Sequence, residues 1–157
     1  MKSINVVLNS RNVISGNAQS ATYGINWSSV LDKRKKYQMH FSYLGGQNVY
    51  TGSKLACVYF GIPTDTVMAD NTTYASHTEM IGFLKPIVLV GSTNTVYLQA
   101  EDNTNLPVFM NCPHSNTFTV EIRDNLGALY TDNAGVPAIP ADYVMMLRFI
   151  EVEFDWL

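Results

Sequence analysis

The stretch from Ser115 to Phe154 limits most strongly what this chain can become. Phe118, Val120 and Ile122 alternate with Thr117, Thr119, Glu121 and Arg123. A period of two, carried by β-branched and aromatic residues, marks a half-buried strand. After a turn-rich connection, a second and longer run from Ala141 to Phe154 ends with Ile150, Val152 and Phe154 alternating with Glu151 and Glu153. Two such strands joined by about twenty residues imply an all-β domain.

The rest of the chain repeats the pattern. Strands are expected over Ile4–Leu8, over Ala21–Trp27 (with Tyr23, Ile25 and Trp27 together), and over Tyr37–Leu44. In the last of these Tyr37, Met39, Phe41 and Tyr43 point inward and Gln38, His40 and Ser42 outward, with Gly45-Gly46 as the stop. Lys54–Ile62 is nearly all apolar, as in a strand covered on both faces. Glu79–Leu84 and Ile87–Val90 read as strands interrupted by Pro86, a residue suited to an edge, a bulge or a corner. Thr95–Ala100 and Leu106–Met110 follow. A short helix is expected within Ser28–Lys36, capped by Ser29 with Asp32 three residues on. Pro63–His77 reads as a polar excursion with one helical turn near Thr73. Eight to ten short strands separated by Gly, Asn, Asp and Pro predict an antiparallel sandwich or barrel. With no repeat, linker or low-complexity tract, residues 1–157 read as one domain.

Charged residues make up 15% of the chain, below the roughly 25% usual in globular domains. Asn, Thr and Ser take the polar positions instead, which suits strands and turns. A net charge of −3 argues against a partner held mainly by electrostatics, so no specific nucleic acid is expected. The only basic run, Lys33-Arg34-Lys35-Lys36, reads first as a solvated loop, and second as a contact for an acidic protein surface or nucleic acid. The first residues are too polar for a signal peptide, and no segment approaches the length of a membrane span. A soluble protein made in the cytoplasm, without membrane insertion, is the expectation.

Catalytic signatures do not emerge. No phosphate loop, nucleophile elbow or His-Glu-x-x-His is present, and His40, His77 and His114 lie far apart in sequence. Cys112-Pro113-His114 places a thiol near an imidazole, but a zinc site wants two more ligands at a recognisable spacing. The chain is expected not to be an enzyme and to carry no cofactor or metal. Cys57 and Cys112 are expected as buried free thiols, with one disulfide between them as the alternative. Asp-Asn pairs at 70–71, 102–103, 124–125 and 132–133 are turn formers first, and calcium ligands second.

The last strand is apolar on both sides along half its length. Val144, Met146, Ile150, Val152 and Phe154 share one face with Arg148, and Tyr143, Met145, Leu147 and Phe149 share the other. Either loops or a second sheet cover this half, or a neighbouring subunit does. On the second view Tyr143, Met145, Leu147 and Phe149, with Lys33, Arg34, Lys35 and Lys36, form a subunit interface.

Phe118-Thr-Val-Glu-Ile-Arg-Asp-Asn-Leu-Gly127 followed by Ala141-Asp-Tyr-Val-Met-Met-Leu-Arg-Phe149 resembles the closing strands of single jelly-roll capsid proteins. These occur in large double-stranded DNA viruses of eukaryotes and their virophage-like relatives. Ile4-Asn-Val-Val-Leu-Asn-Ser-Arg11, Tyr23-Gly-Ile-Asn-Trp27 and Ile81-Gly-Phe-Leu-Lys-Pro86 are similar to their opening and middle strands. The resemblance implies a single jelly-roll antiparallel β-sandwich of two sheets and about eight strands. It also implies a structural role in the virion as a penton (vertex) protein forming homopentamers, or as a minor capsid protein. Partners would be further copies and neighbouring capsid proteins, and the family role brings no catalytic residues. The competing class is a lectin-like carbohydrate-binding module using Tyr50, Tyr74, Tyr97, Tyr130 and Trp156 with loop amides.

Overall fold

The computed structural model describes residues 2–45, 48–49, 55–69, 76–88, 95–101, 105–131 and 142–153. Among them are strands β1 (Ser3–Asn9), β2 (Ser15–Gly16), β3 (Ser20–Gly24), β4 (Lys36–Gly45), β5 (Asn48–Val49), β6 (Ala56–Phe60) and β7 (Val67–Met68). They are followed by β8 (Ser76–His77), β9 (Met80–Val88), β10 (Thr95–Ala100), β11 (Val108–Asn111), β12 (Thr117–Arg123) and β13 (Tyr143–Glu151). The only other regular elements among the described residues are α1 (Trp27–Val30) and a 3-10 turn at Ser10–Asn12. The protein is all-β.

Eleven strands join in one sheet, ordered β1-β13-β4-β10-β9-β6-β12-β3-β2, with β11 also on β4 and β5 also on β10. Every pairing is antiparallel. β7 and β8 form a separate small hairpin. The long strand β9 is the corner of the sheet. Its first half pairs with β6, from Met80 opposite Tyr59 to Leu84 opposite Ala56. Its second half pairs with β10, from Lys85 opposite Gln99 to Val88 opposite Val96. Pro86 lies just beyond this handover, so β9 runs through the proline that was expected to divide two strands.

The sheet curls because its two wings share one apolar core. Trp27, fully buried, lies 5.5 Å from the Phe118 ring of β12 and 5.7 Å from the Phe149 ring of β13. Phe60 and Tyr23 pack on Phe118, and Tyr37 meets Phe149 edge-on. Strands far apart in sheet order therefore face one another across a single tryptophan. Burial of each such aromatic is worth roughly 1.5–3 kcal/mol.

The inward set on β4 is as the alternation predicts: Tyr37, Met39, Phe41 and Tyr43 are all buried. The helix is not. It begins at Trp27 with Asn26 in the capping position, and Ser29 Oγ donates to the Asn26 carbonyl rather than capping anything. Trp27 thus leaves the β3 strand and opens α1, the placement that lets its ring reach both wings. Cys57 and Cys112 are both buried and free, and burial pushes both thiols up from their ordinary pKa. The helical turn expected near Thr73 lies outside the described residues.

Candidate interaction surface

Alternation along a strand decides which side chains can form a surface, and pairing decides which of them touch. On β13, Tyr143, Met145, Leu147 and Phe149 are buried in the chain's own core, at no more than 7% exposure. This corrects their assignment as a subunit interface. Both faces of the strand are apolar, and Phe149 faces inward because Trp27 and Tyr37 receive it. The residues left outward are Val144 and Met146, at 42% and 39% exposure.

Register brings two neighbours to them. Met146 sits opposite Val7 of β1, and Val144 sits opposite Leu44 of β4; Val7 and Leu44 are 53% and 58% exposed. The result is a contiguous outward apolar patch on three adjacent strands. Below it the same face turns polar, through the row Asn5, Arg148 and His40.

The basic run is largely matched within the chain. Arg34 pairs with Asp32 at 3.1 Å and holds that carboxyl below its ordinary range. Lys35 reaches Glu151 at 2.8 Å, which raises the lysine pKa. Lys36 lies 3.9 Å from Asp65 and 5.6 Å from the Phe109 ring centroid. Lys35 and Lys36 tie the start of β4 to the end of β13 and to the 65 region, while the Arg34 pair closes within its own turn. They do not stand out as one undivided cationic surface.

A second apolar region is a groove of about 600 Å³ beside β9 and β11, where Phe83 is 53% and Leu106 is 89% exposed. Two strand edges are closed here by side chains. Asn105 accepts from the Phe83 N–H and donates to the Phe83 carbonyl, both at 3.0 Å. The Asp65 carboxylate accepts from the Phe109 N–H at 2.9 Å, and its own N–H donates to the Phe109 carbonyl. At Gly82 a Cβ would strike the Asn105 amide and the Phe41 ring, so glycine lets Asn105 approach the strand.

Among the described residues the metal-ligating side chains do not converge. Among the described residues no three His, Cys, Asp or Glu side chains come together. The structure places His40 on the outward face of β4, His77 on β8 and an exposed His114 beyond β11. Of the Asp-Asn pairs only 124–125 lies among the described residues; Asp124 is buried and accepts from the N–H groups of Leu126 and Ala128 at 2.9 and 3.1 Å. That is the turn-forming role. Of the aromatic residues considered for sugar stacking, Tyr130 is fully buried. Tyr50, Tyr74 and Trp156, and the Tyr97 side chain, lie outside the described residues.

The Val7–Met146–Val144–Leu44 patch was only half legible in the sequence. The two faces of β13 were recognisable as apolar, but which of them faces out depends on partners distant in the chain. No protein-family model matches the chain, and no curated protein matches it.

Proposed function

We propose that this chain is a structural subunit of an icosahedral virion, built as a single jelly roll and working through contacts with further copies and with neighbouring capsid proteins. The observation that carries the reading is the nesting of the pairings. Taken in chain order, the eight main strands are β1, β3, β4, β6, β9, β10, β12 and β13. The first pairs with the last, the second with the seventh, the third with the sixth and the fourth with the fifth. A long hairpin wrapped once around a core produces this nesting, with two groups of four: β1-β13-β4-β10 and β9-β6-β12-β3.

Jelly rolls serve capsid proteins, lectins and cupins alike, so the architecture alone does not select a function. The surface supports the capsid reading. An outward patch of four apolar side chains on adjacent strands is suited to protein contact. The resemblance of the opening and closing strands to capsid jelly rolls points the same way. The vertex position, a pentamer, is the preferred assignment, and a minor capsid position is the alternative.

Light scattering after gel filtration, at low and moderate salt, tests the reading. A stable pentamer with ring-shaped particles under the electron microscope is the expected result. A monomer at all concentrations that binds defined glycans on an array would overturn it in favour of a carbohydrate-binding module.

A further inference from the structure

The chain treats its strand edges unequally. The edges of β9 at Phe83 and of β11 at Phe109 are closed by Asn105 and Asp65, and β2 at one end of the sheet has only two residues. The other end is β1, seven residues long. The Lys2 carbonyl accepts from Glu151 N–H, so with the antiparallel register Ile4, Val6 and Leu8 direct their backbone groups at β13. The N–H and C=O groups of Ser3, Asn5 and Val7 then point away from the sheet, and all three residues are exposed. Among the described residues β1 carries none of the usual protection of an edge. Its sequence Ser-Ile-Asn-Val-Val-Leu-Asn has no charge and no proline, and its register against β13 runs without a bulge.

We infer that β1 is a strand-addition site whose occupant is β1 of a second copy, paired antiparallel about a two-fold axis at Val6. The strand is complementary to itself in that register. All seven residues overlap, Ser3 falls opposite Asn9 and Asn5 opposite Val7, so the outward-pointing backbone groups meet one another. On the inward side Ile4 falls opposite Leu8 and Val6 opposite Val6, joining residues that already pack on each core. No like charges oppose, because Lys2 falls opposite Ser10 and the strand between is neutral. The contact is isologous, whereas a five-fold ring closes through heterologous contacts, so the inference does not rest on the capsid reading.

Sedimentation velocity over about a hundredfold range of concentration, paired with hydrogen exchange, tests it. The full chain is expected to move from monomer to dimer, with the Asn5 and Val7 amides gaining protection as the dimer forms. Val7→Pro removes a donor from the free edge while leaving the β13 ladder whole, and weakens the dimer by about tenfold or more, since symmetry counts the loss twice. Asn5→Lys guards the edge without touching the backbone and has the same direction of effect. Leu126→Lys, on an exposed turn remote in sequence, leaves association unchanged. A monomer or a pentamer whose Asn5 and Val7 amides exchange freely overturns the inference, as does a dimer indifferent to both edge variants. The pentamer result would still leave the vertex reading standing.

Discussion

Phe149→Ala separates the core role of this residue from the interface role that its sequence suggests. The ring is fully buried on β13, edge-on to Trp27 at 5.7 Å and to Tyr37 at 6.4 Å. Truncating a buried phenylalanine costs about 3–5 kcal/mol, and the two edge contacts place this case near about 4 kcal/mol. For a domain of this size that lowers Tm by about 8–16 °C, or moves the urea midpoint by about 2 M if m is about 2 kcal/mol/M. Phe83→Ala is the matched control, because Phe83 is 53% exposed and its loss costs less than about 1 kcal/mol. The assay is urea unfolding followed by far-ultraviolet circular dichroism on both variants and the parent. A loss at Phe149 below about 1.5 kcal/mol with an unchanged m value would refute the argument. It would mean that β12 and β13 do not meet across Trp27. Loss of association without loss of stability would return Phe149 to an interface.

Four more outcomes follow from the same geometry. Tyr43 Oη is buried with no hydrogen-bond partner among the described residues, so Tyr43→Phe is expected to leave stability unchanged or raise it by up to about 1 kcal/mol in thermal unfolding at neutral pH. Burial raises the phenol pKa of Tyr43, and burial together with the 2.6 Å contact to Tyr143 raises that of Tyr23. A raised folded-state pKa contributes stability below the unfolded value of about 10 and loses it above, so thermal scans should show stability falling as pH climbs past about 10. Tyr43→Phe should lessen that fall. Asp124→Ala should cost about 2 kcal/mol in urea unfolding by orphaning the Leu126 and Ala128 N–H groups, while Asp124→Asn, which keeps an acceptor, should cost less than about 1 kcal/mol. Asn105→Ala should cost about 1–2 kcal/mol and accelerate hydrogen exchange at the Phe83 amide, the donor it leaves open.

Local pattern carried the element list. The alternation Phe118/Val120/Ile122 and Tyr37/Met39/Phe41/Tyr43 specified strands and their buried faces, because one face was apolar and the other polar. The rule stops where both faces are apolar. On β13 the choice between Phe149 and Met146 as the inward residue was made by Trp27, a residue more than a hundred positions away and itself misread as part of a strand. Asn105 and Asp65 were equally silent as sequence, since a loop amide or carboxylate announces nothing about the strand edge it closes. The open β1 edge depends on which strand ends the sheet, a consequence of nested pairing between residues far apart in the chain. Sequence alone thus determined that the chain is a low-charge antiparallel β-protein and where most of its strands lie, because propensity and period act over a few residues. Tertiary structure decided which apolar face is core, which edges are closed and which apolar side chains stay exposed, because each is settled by contacts whose partners are distant in sequence.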